Sequence, residues 1–310
     1  MNAAPPASLA IVGFGLIGAS LAASLRRAGT GYEITAVVRS EAAADEAMTS
    51  GLADRAVVGA AAGVAGADLV LLAVPMLAMR AALEAIRPAL APGAIVTDAG
   101  SVKGRFVEDA RAVLGDLARV VPGHPIAGRE KSGMAAADAA LYVGRRVLLT
   151  PAAETRPAAI EAVTRLWEAA GAEVECLTPE RHDRVLAATS HLPHVLAFAL
   201  VDTLRTRQEA EEIFRYAAGG FRDFTRIASS DPIMWRDVCL TNAGPIVDAL
   251  DDLEAHLGAL RAAVAGGDGE ALERIFRRAR EARDAHGGAE EGALRGEPGA
   301  RDAPRERHAM

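Results

Sequence analysis

The chain has 310 residues, half of them apolar, so it is long enough for two domains with ample cores and too apolar to be disordered. A formal net charge of −7 argues against a general nucleic-acid binder, which carries a basic face. Residues 1–8 lack the basic region of a signal peptide, and the longest apolar run, residues 70–79, is too short to span a bilayer and contains Pro75. These features predict a soluble, cytoplasmic protein with no membrane or nucleic-acid partner. Cys176 and Cys239 make no metal or redox spacing and read as two buried, reduced thiols. Alanine dominates the apolar fraction, which favours closely packed helices.

Leu9-Ala10-Ile11-Val12 is fully apolar, the pattern of a strand buried on both faces of a parallel sheet. Gly13-Phe14-Gly15-Leu16-Ile17-Gly18 follows at once, and a helical pattern runs over residues 16–28. This G-x-G-x-x-G has the strand before it and the helix after it that a dinucleotide site needs. Gly13 permits a tight turn, Gly15 lets a pyrophosphate approach the backbone, and Gly18 lets helix and strand pack closely. The helix start at Leu16 and Ile17 offers free N–H groups and the positive end of its dipole to the anion. The next strand is expected over residues 33–38. An acid about 20 positions past the glycines would bind the ribose hydroxyls of NAD. That place falls at Val38, followed by Arg39 and Ser40. A guanidinium and a hydroxyl suit a 2′-phosphate, so the pattern leans to NADP. The competing reading has Arg39 stacked on the adenine, with NAD accepted too.

Alternation of strand and helix continues. Residues 68–74 form a central strand ended by Pro75, and Val74 and Pro75 lie at its carboxyl end, where cofactor sits in such sheets. Residues 77–90 read as a helix and 94–98 as a strand. Ala99-Gly100-Ser101-Val102-Lys103-Gly104 then leads into a helix ending near Leu114. Ser101 is a candidate N-cap, a candidate site hydroxyl, or both. Lys103 reads as a solvated helix residue. Residues 119–121 are a short strand that delivers Gly123-His124-Pro125-Ile126-Ala127-Gly128-Arg129-Glu130-Lys131-Ser132-Gly133. Pro125 restricts His124 to extended backbone and holds its ring at the strand's carboxyl edge. Oxidation of an alcohol needs a base for the hydroxyl proton, and imidazole suits that role near neutral pH. A structural turn histidine is the competing reading. A strand over 146–150, a helix over 156–170 and a strand over 172–177 that closes the sheet complete a Rossmann-type α/β domain, residues 1–177.

From Thr178 the alternation stops. Thr178-Pro179 is a cap followed by proline at the first helical position, and the helix is expected to reach Arg205. It carries Ser190-His191-Leu192-Pro193-His194, in which two histidines share a face. No clustered carboxylate or cysteine completes a metal site around them, so they read as helix packing or as a polar lining. Gly219-Gly220-Phe221-Arg222-Asp223-Phe224-Thr225-Arg226-Ile227-Ala228 combines glycines, aromatics and two arginines, a set suited to a carboxylate ligand or to a solvated helix start. Asp231-Pro232 caps a helix carrying Trp235. Residues 245–264 and 268–284 are amphipathic helices with an apolar stripe at Leu250, Leu253, Leu257 and Leu260, which suggests a dimer core. Residues 287–310 are almost free of large apolar side chains and read as a disordered tail.

With these residues assembled, the chain resembles the prephenate/arogenate (cyclohexadienyl) dehydrogenase family of tyrosine biosynthesis. The matching segments, in the family's order, are GFGLIGAS at 13–20, DAGSVKG at 98–104, GHPIAGREKSG at 123–133, SHLPH at 190–194 and GGFRDFTRIA at 219–228. Many Rossmann enzymes share the first; the last four together are specific. The resemblance implies an all-α dimerisation domain, residues 178–286, in a 6-phosphogluconate-dehydrogenase-like arrangement, and a homodimer. It implies NAD(P)-dependent oxidative decarboxylation of a small cyclohexadienyl substrate, prephenate or arogenate. On that basis His124 is the hydrogen-bond acceptor and base for the 4-hydroxyl, and Ser101 lies beside that hydroxyl and the nicotinamide. Arg226 holds the ring carboxylate, and His194, Trp235 and Gly219 line the same pocket.

Two departures bear on specificity. The ribose-binding acid of NAD-using members is missing at Val38, and Arg129 stands where many members carry a smaller Thr or Pro. Arg129, Glu130 and Lys131 are expected to form a charged rim facing the helical domain. Glu130 either pairs with Arg226 or senses the amino group that arogenate has and prephenate lacks. Two other readings compete with this one: a pyrroline-carboxylate or β-hydroxyacid reductase with a Rossmann and helical-dimer plan, and a non-catalytic NADP-binding sensor.

Overall fold

A computed structural model describes residues 8–129 and 132–294 of the chain. The first half runs β1 (Ser8–Val12), α1 (Leu16–Arg27), β2 (Glu33–Val38), α2 (Glu41–Thr49), β3 (Arg55–Val58), α3 (Ala60–Val64), β4 (Leu69–Leu72), α4 (Met79–Ile86), β5 (Ile95–Asp98), α5 (Lys103–Leu114), β6 (Val120–Val121), β7 (Gly123–Pro125), β8 (Arg146–Leu149), α6 (Pro157–Ala169) and β9 (Glu173–Cys176). The second half is helical: α7 (Pro179–Leu186), α8 (Leu192–Arg205), α9 (Ala210–Arg215), α10 (Gly219–Thr225), α11 (Pro232–Thr241), α12 (Ala243–Gly266) and α13 (Gly269–Leu294). A π-helical turn, Ala187–His191, joins α7 to α8 without a break in the helix. Two compact units meet between Ala249 and Leu250, inside α12.

In the first unit, six parallel strands lie in the order β3-β2-β1-β4-β5-β6. Alternation along each strand feeds two cores. Leu9, Ile11, Leu69 and Leu71 face one side with Leu21, Leu25, Tyr142 and Trp167. Ala10, Val12, Val70 and Leu72 face the other with Leu83, Ile86, Phe106, Trp235 and Val238. Helices therefore cover both faces, as an all-parallel sheet requires. Trp235 and Val238 bring α11 into the second core, so this helix is part of the same unit as the sheet.

The expectation that residues 172–177 close the main sheet is wrong. β7, β8 and β9 form a separate three-stranded sheet in that order, with β7 antiparallel to β8. Pro125 explains part of this: without an N–H it suits an edge strand, and β7 is an edge. His124 pairs with Leu148 across this small sheet. The buried-thiol expectation also fails, because Cys176 at the end of β9 is exposed and Cys239 is half-buried.

Both predicted proline-linked caps are present. Thr178 Oγ1 accepts from Arg181 N at 3.2 Å, and the Asp231 carboxylate accepts from Ile233 N at 2.7 Å and Met234 N at 3.2 Å. By length and composition alone the 179–205 helix is apolar enough to cross a membrane, although it contains no long unbroken apolar run. Only 22% of its apolar stretch is buried, while the polar residues His182, Asp183 and His191 on the same helix are buried. The second unit consists of the rest of α12 and α13, joined at Gly267 (φ +66°) and capped by Asp268, which accepts from Ala271 N at 2.9 Å. Leu257, Val264 and Phe276 are at least half exposed on these helices. The tail expected at 287–310 lies largely outside the described residues.

Candidate active site

The site begins with the glycine turn between β1 and α1. Gly13 has φ +93°, and a Cβ there would stand 2.4 Å from the Ala73 carbonyl oxygen at the end of β4. A Cβ at Gly18 would meet the Gly13 carbonyl oxygen at 2.4 Å and Ile11 Cγ2 at 2.7 Å. These two glycines are needed by the protein itself. Gly15 differs: nothing lies within 4 Å of a Cβ built on it. It is the N-cap of α1 and supplies no side-chain cap, so no side chain at the cap position takes up the first N–H groups of the helix. That is a cradle for a pyrophosphate, and Leu16, Ile17 and Gly18 carry those N–H groups. Val74 borders Gly13 from the end of β4. Arg39 is exposed at the end of β2, and Ser40 caps α2 by accepting from Ala43 N at 3.3 Å. The residues named for the cofactor thus share the carboxyl edge of β1, β2 and β4, which fits a dinucleotide.

One strand further along, the edge changes character. Asp98 ends β5 and Lys103 begins α5, and both side chains are fully buried and ion-paired. The Asp98 carboxylate also accepts from Gly100 N at 2.8 Å and Gly123 N at 3.1 Å. Lys103 Nζ donates to the Gly123 carbonyl at 2.6 Å. Both backbone groups of the residue before His124 are therefore held by one buried ion pair. Burial pushes the Asp98 carboxyl above its ordinary pKa and the Lys103 ammonium below its own, against their mutual attraction. The expectation of a solvated Lys103 is corrected: the ammonium is an internal pin for the turn that carries His124.

His124 is itself half-buried. Its Nδ1 lies 2.9 Å from His182 Nε2, and His182 Nδ1 lies 2.8 Å from Asp183 Oδ1. The same carboxylate accepts from Lys103 N and Gly104 N, each at 2.8 Å. Asp183 thus caps α5 from a distant helix. The N-cap residue is Val102 rather than Ser101. Ser101 sits half-buried in the turn just ahead, between β5 and α5. Burial, then the neighbouring His182, Lys103 and His191, hold the His124 pKa well below 6.5. Burial also lowers that of His182, against its bond to Asp183. Burial works to raise the Asp183 pKa, but the bonds from His182 and the two amides outweigh it and leave it below the usual carboxylate value. His182 and Asp183 were missed in the sequence. The available signal was a polar His-Asp pair in the first turns of a helix that is otherwise apolar further on.

A second cluster adjoins the first. Asn242 Nδ2 donates to the Asp183 carbonyl and to His191 Nδ1, both at 3.0 Å. Burial carries His191 down to a pKa of about 4. His194 stacks on Trp235 with ring centroids 3.6 Å apart, and His191 meets the same indole edge-on at 6.1 Å. His194 Nδ1 donates to the Ser190 carbonyl at 2.9 Å, which leaves Nε2 as the acceptor of the neutral ring. Burial lowers the His194 pKa, with the Arg226 guanidinium acting in the same sense, so Arg226 is within electrostatic reach. The structure therefore groups His194 with Trp235 and brings Arg226 within electrostatic reach of them, while His124 connects to this cluster through His182, Asp183 and Asn242. Arg129 is instead ion-paired with Asp138, whose backbone N–H donates to Ser20 Oγ on α1 at 3.0 Å. Gly219 is exposed at the start of α10. Glu130 and Lys131 lie outside the described residues.

This arrangement can hold a dinucleotide against an imidazole base and present a cation and an aromatic wall to an anionic ring. Two family descriptions match the chain: the prephenate dehydrogenase nucleotide-binding domain over residues 21–176 and the prephenate dehydrogenase dimerization domain over residues 178–278. The cyclohexadienyl dehydrogenase of Zymomonas mobilis is 38% identical over 277 residues, 89% of this chain and 94% of that protein. Among solved structures, prephenate dehydrogenase from Aquifex aeolicus in complex with hydroxyphenyl propionate and NAD+ superposes with a TM-score of 0.82 at 39% identity, covering 90% of this chain and 98% of that one. Synechocystis arogenate dehydrogenase gives 0.78 at 29% identity, covering 90% and 99%. From the two domain matches and these relatives, the chain belongs to the prephenate dehydrogenase family.

Proposed function

We propose that this chain catalyses the NAD(P)-dependent oxidative decarboxylation of prephenate to 4-hydroxyphenylpyruvate, or of arogenate to tyrosine. The observation that carries the reading is His124, pinned by a buried ion pair on the strand edge next to the dinucleotide cradle. Gly13, Gly15, Leu16, Ile17, Gly18, Val74 and Pro75 would hold the cofactor, which when bound would supply the acceptor for the hydride that leaves C4. His124 takes the proton of the 4-hydroxyl through its free ring nitrogen, and Ser101 hydrogen-bonds that oxygen. The bond between the ring and its carboxylate breaks, CO2 leaves, and the electron pair flows into the ring. Aromatisation drives this step, and the proton on His124 returns to the phenolic oxygen. Arg226 orients the ring carboxylate from an exposed position, where the ion pair is weak enough for CO2 to depart. His194 and Trp235 wall the ring.

Val38 in the place of a ribose-binding acid, followed by Arg39, supports a preference for NADP. The dimerization-domain match and the exposed Leu257, Val264 and Phe276 support a homodimer. Two free cysteines, one of them exposed, suit the reducing cytoplasm. The test is to mix the protein with prephenate or arogenate and with NAD or NADP, and to follow absorbance of the reduced cofactor. Turnover with at least one pair is expected. Silence with all four would overturn the reading.

A further inference from the structure

We propose that His182 and Asp183 are positioning residues that lock His124 in the tautomer a general base needs. The inference rests on the assignment of His124 as that base. The argument is one of donors and acceptors along a single chain. The Asp183 carboxylate already accepts N–H groups from Lys103 and Gly104, and an ionised carboxylate only accepts. His182 Nδ1, 2.8 Å away, must then carry a hydrogen. His182 is fully buried and its pKa is lowered, so the ring is neutral and its Nε2 is bare. Bare Nε2 accepts, so His124 Nδ1, 2.9 Å away, carries the hydrogen there. A neutral His124 then has a bare Nε2, the nitrogen left to receive the substrate's proton. Without this chain the ring is free to place its hydrogen on Nε2, where it cannot act as a base.

The same chain serves the protonated state. When His124 gains a proton it keeps its Nδ1–H bond to His182, and the ionised Asp183 stabilises the new charge through the intervening ring. The groups facing His124 are Lys103 on α5, Asp98 on β5, His182 and Asp183 on α7, and His191 in the π turn. Of these Lys103, His182 and His191 oppose the charge, and the Asp183 carboxylate acts on it through the His182 ring. Asp183 has a second task. By capping α5 it also fixes the Ser101 turn, so one carboxylate sets the spacing of hydroxyl and base.

Nitrogen-15 NMR of histidine-labelled full-length protein reads the tautomer directly. His124 in the Nδ1–H form is expected, and the Nε2–H form overturns the proposal whether or not turnover is seen. Two variants read the catalytic consequence. His182→Phe removes the acceptor and is expected to lower kcat about 100-fold with little change in KM. His182→Gln keeps an acceptor oxygen near the Nε2 position and is expected to recover at least about tenfold of that loss, with the acid limb of the pH–rate profile moved upward. Circular dichroism checks that both are folded. Equal losses in the two variants with an unmoved acid limb would show a packing role and overturn the proposal. Absence of turnover in the wild type would defeat the dehydrogenase assignment while leaving the tautomer measurement valid.

Discussion

The glycine turn after β1 and the histidine turn held by Asp98 at the end of β5 are built by opposite means. The first works by leaving atoms out: Gly15 opens the backbone, and a bare helix start does the binding. The second works by enclosing charge: Asp98, Lys103, His182 and Asp183 are all buried around one imidazole. The open region costs the fold little and depends on ligand for its partners. In the closed region Asp98, Lys103, His182 and Asp183 are held by one another and by backbone groups, so its residues carry stability and chemistry together.

The largest effect expected is at the base. His124→Asn should lower kcat by about 10²- to 10⁴-fold, while tryptophan fluorescence and unfolding midpoint change little. Wild-type turnover in that variant would remove the histidine turn from the mechanism. Next comes the ion pair. Lys103→Met alone leaves Asp98 buried and unpaired, at a cost of about 3–5 kcal/mol in urea unfolding. The double change Lys103→Met with Asp98→Leu should be less damaging than the sum of the two single changes. An additive result would mean the pair does not act as one unit.

The two glycines sharpen the contrast from the other side. Gly18→Ala drives a methyl against the Gly13 carbonyl and Ile11 and should destabilise the protein by about 1–3 kcal/mol. Gly15→Ala meets nothing in the free protein, so it should leave the thermal midpoint unchanged and weaken only cofactor binding, measured by calorimetry. A smaller effect concerns pH. His124, His182 and His191 have folded pKa values below 6.5, so the unfolded chain binds protons first as pH falls. Their contribution is complete above about 6.5 and is lost on acidification towards about 4, the His191 value. Asp183, also depressed, adds to the loss at still lower pH. Urea midpoints between pH 7 and 5 should fall, and His191→Gln should flatten the slope. Smallest is Arg39→Ala, expected to weaken NADP about tenfold and NAD hardly at all; equal losses would favour adenine stacking by Arg39.

The same contrast explains what was legible in the chain. β1, α1 and β2 announce themselves through apolar runs, period and glycines within a few neighbouring residues, and the caps at Thr178 and Asp231 do so through a dipeptide. Lys103 was misread because its partners are set by topology. Its ammonium contacts Asp98 and Gly123, and its N–H contacts Asp183, 80 residues away. His182 was invisible for the same reason, since its meaning lies in His124, 58 residues earlier. The small sheet was missed because β7 is three residues long and antiparallel, features that an expectation of strict strand–helix alternation cannot anticipate.

The π turn at Ala187–His191 has a consequence for alignment. Each residue advances a helix by about 100°, and a π turn inserts extra residues without breaking the rod. His182 looks toward the strand edge from before the insertion, and His194 stacks on Trp235 from after it. The turn is thus a phase shifter between two stretches of one helix. Removing a single residue from it would rotate everything downstream by about 100° while leaving helix content intact. The site would then come apart into a base and an anion pocket that no longer face the same ring.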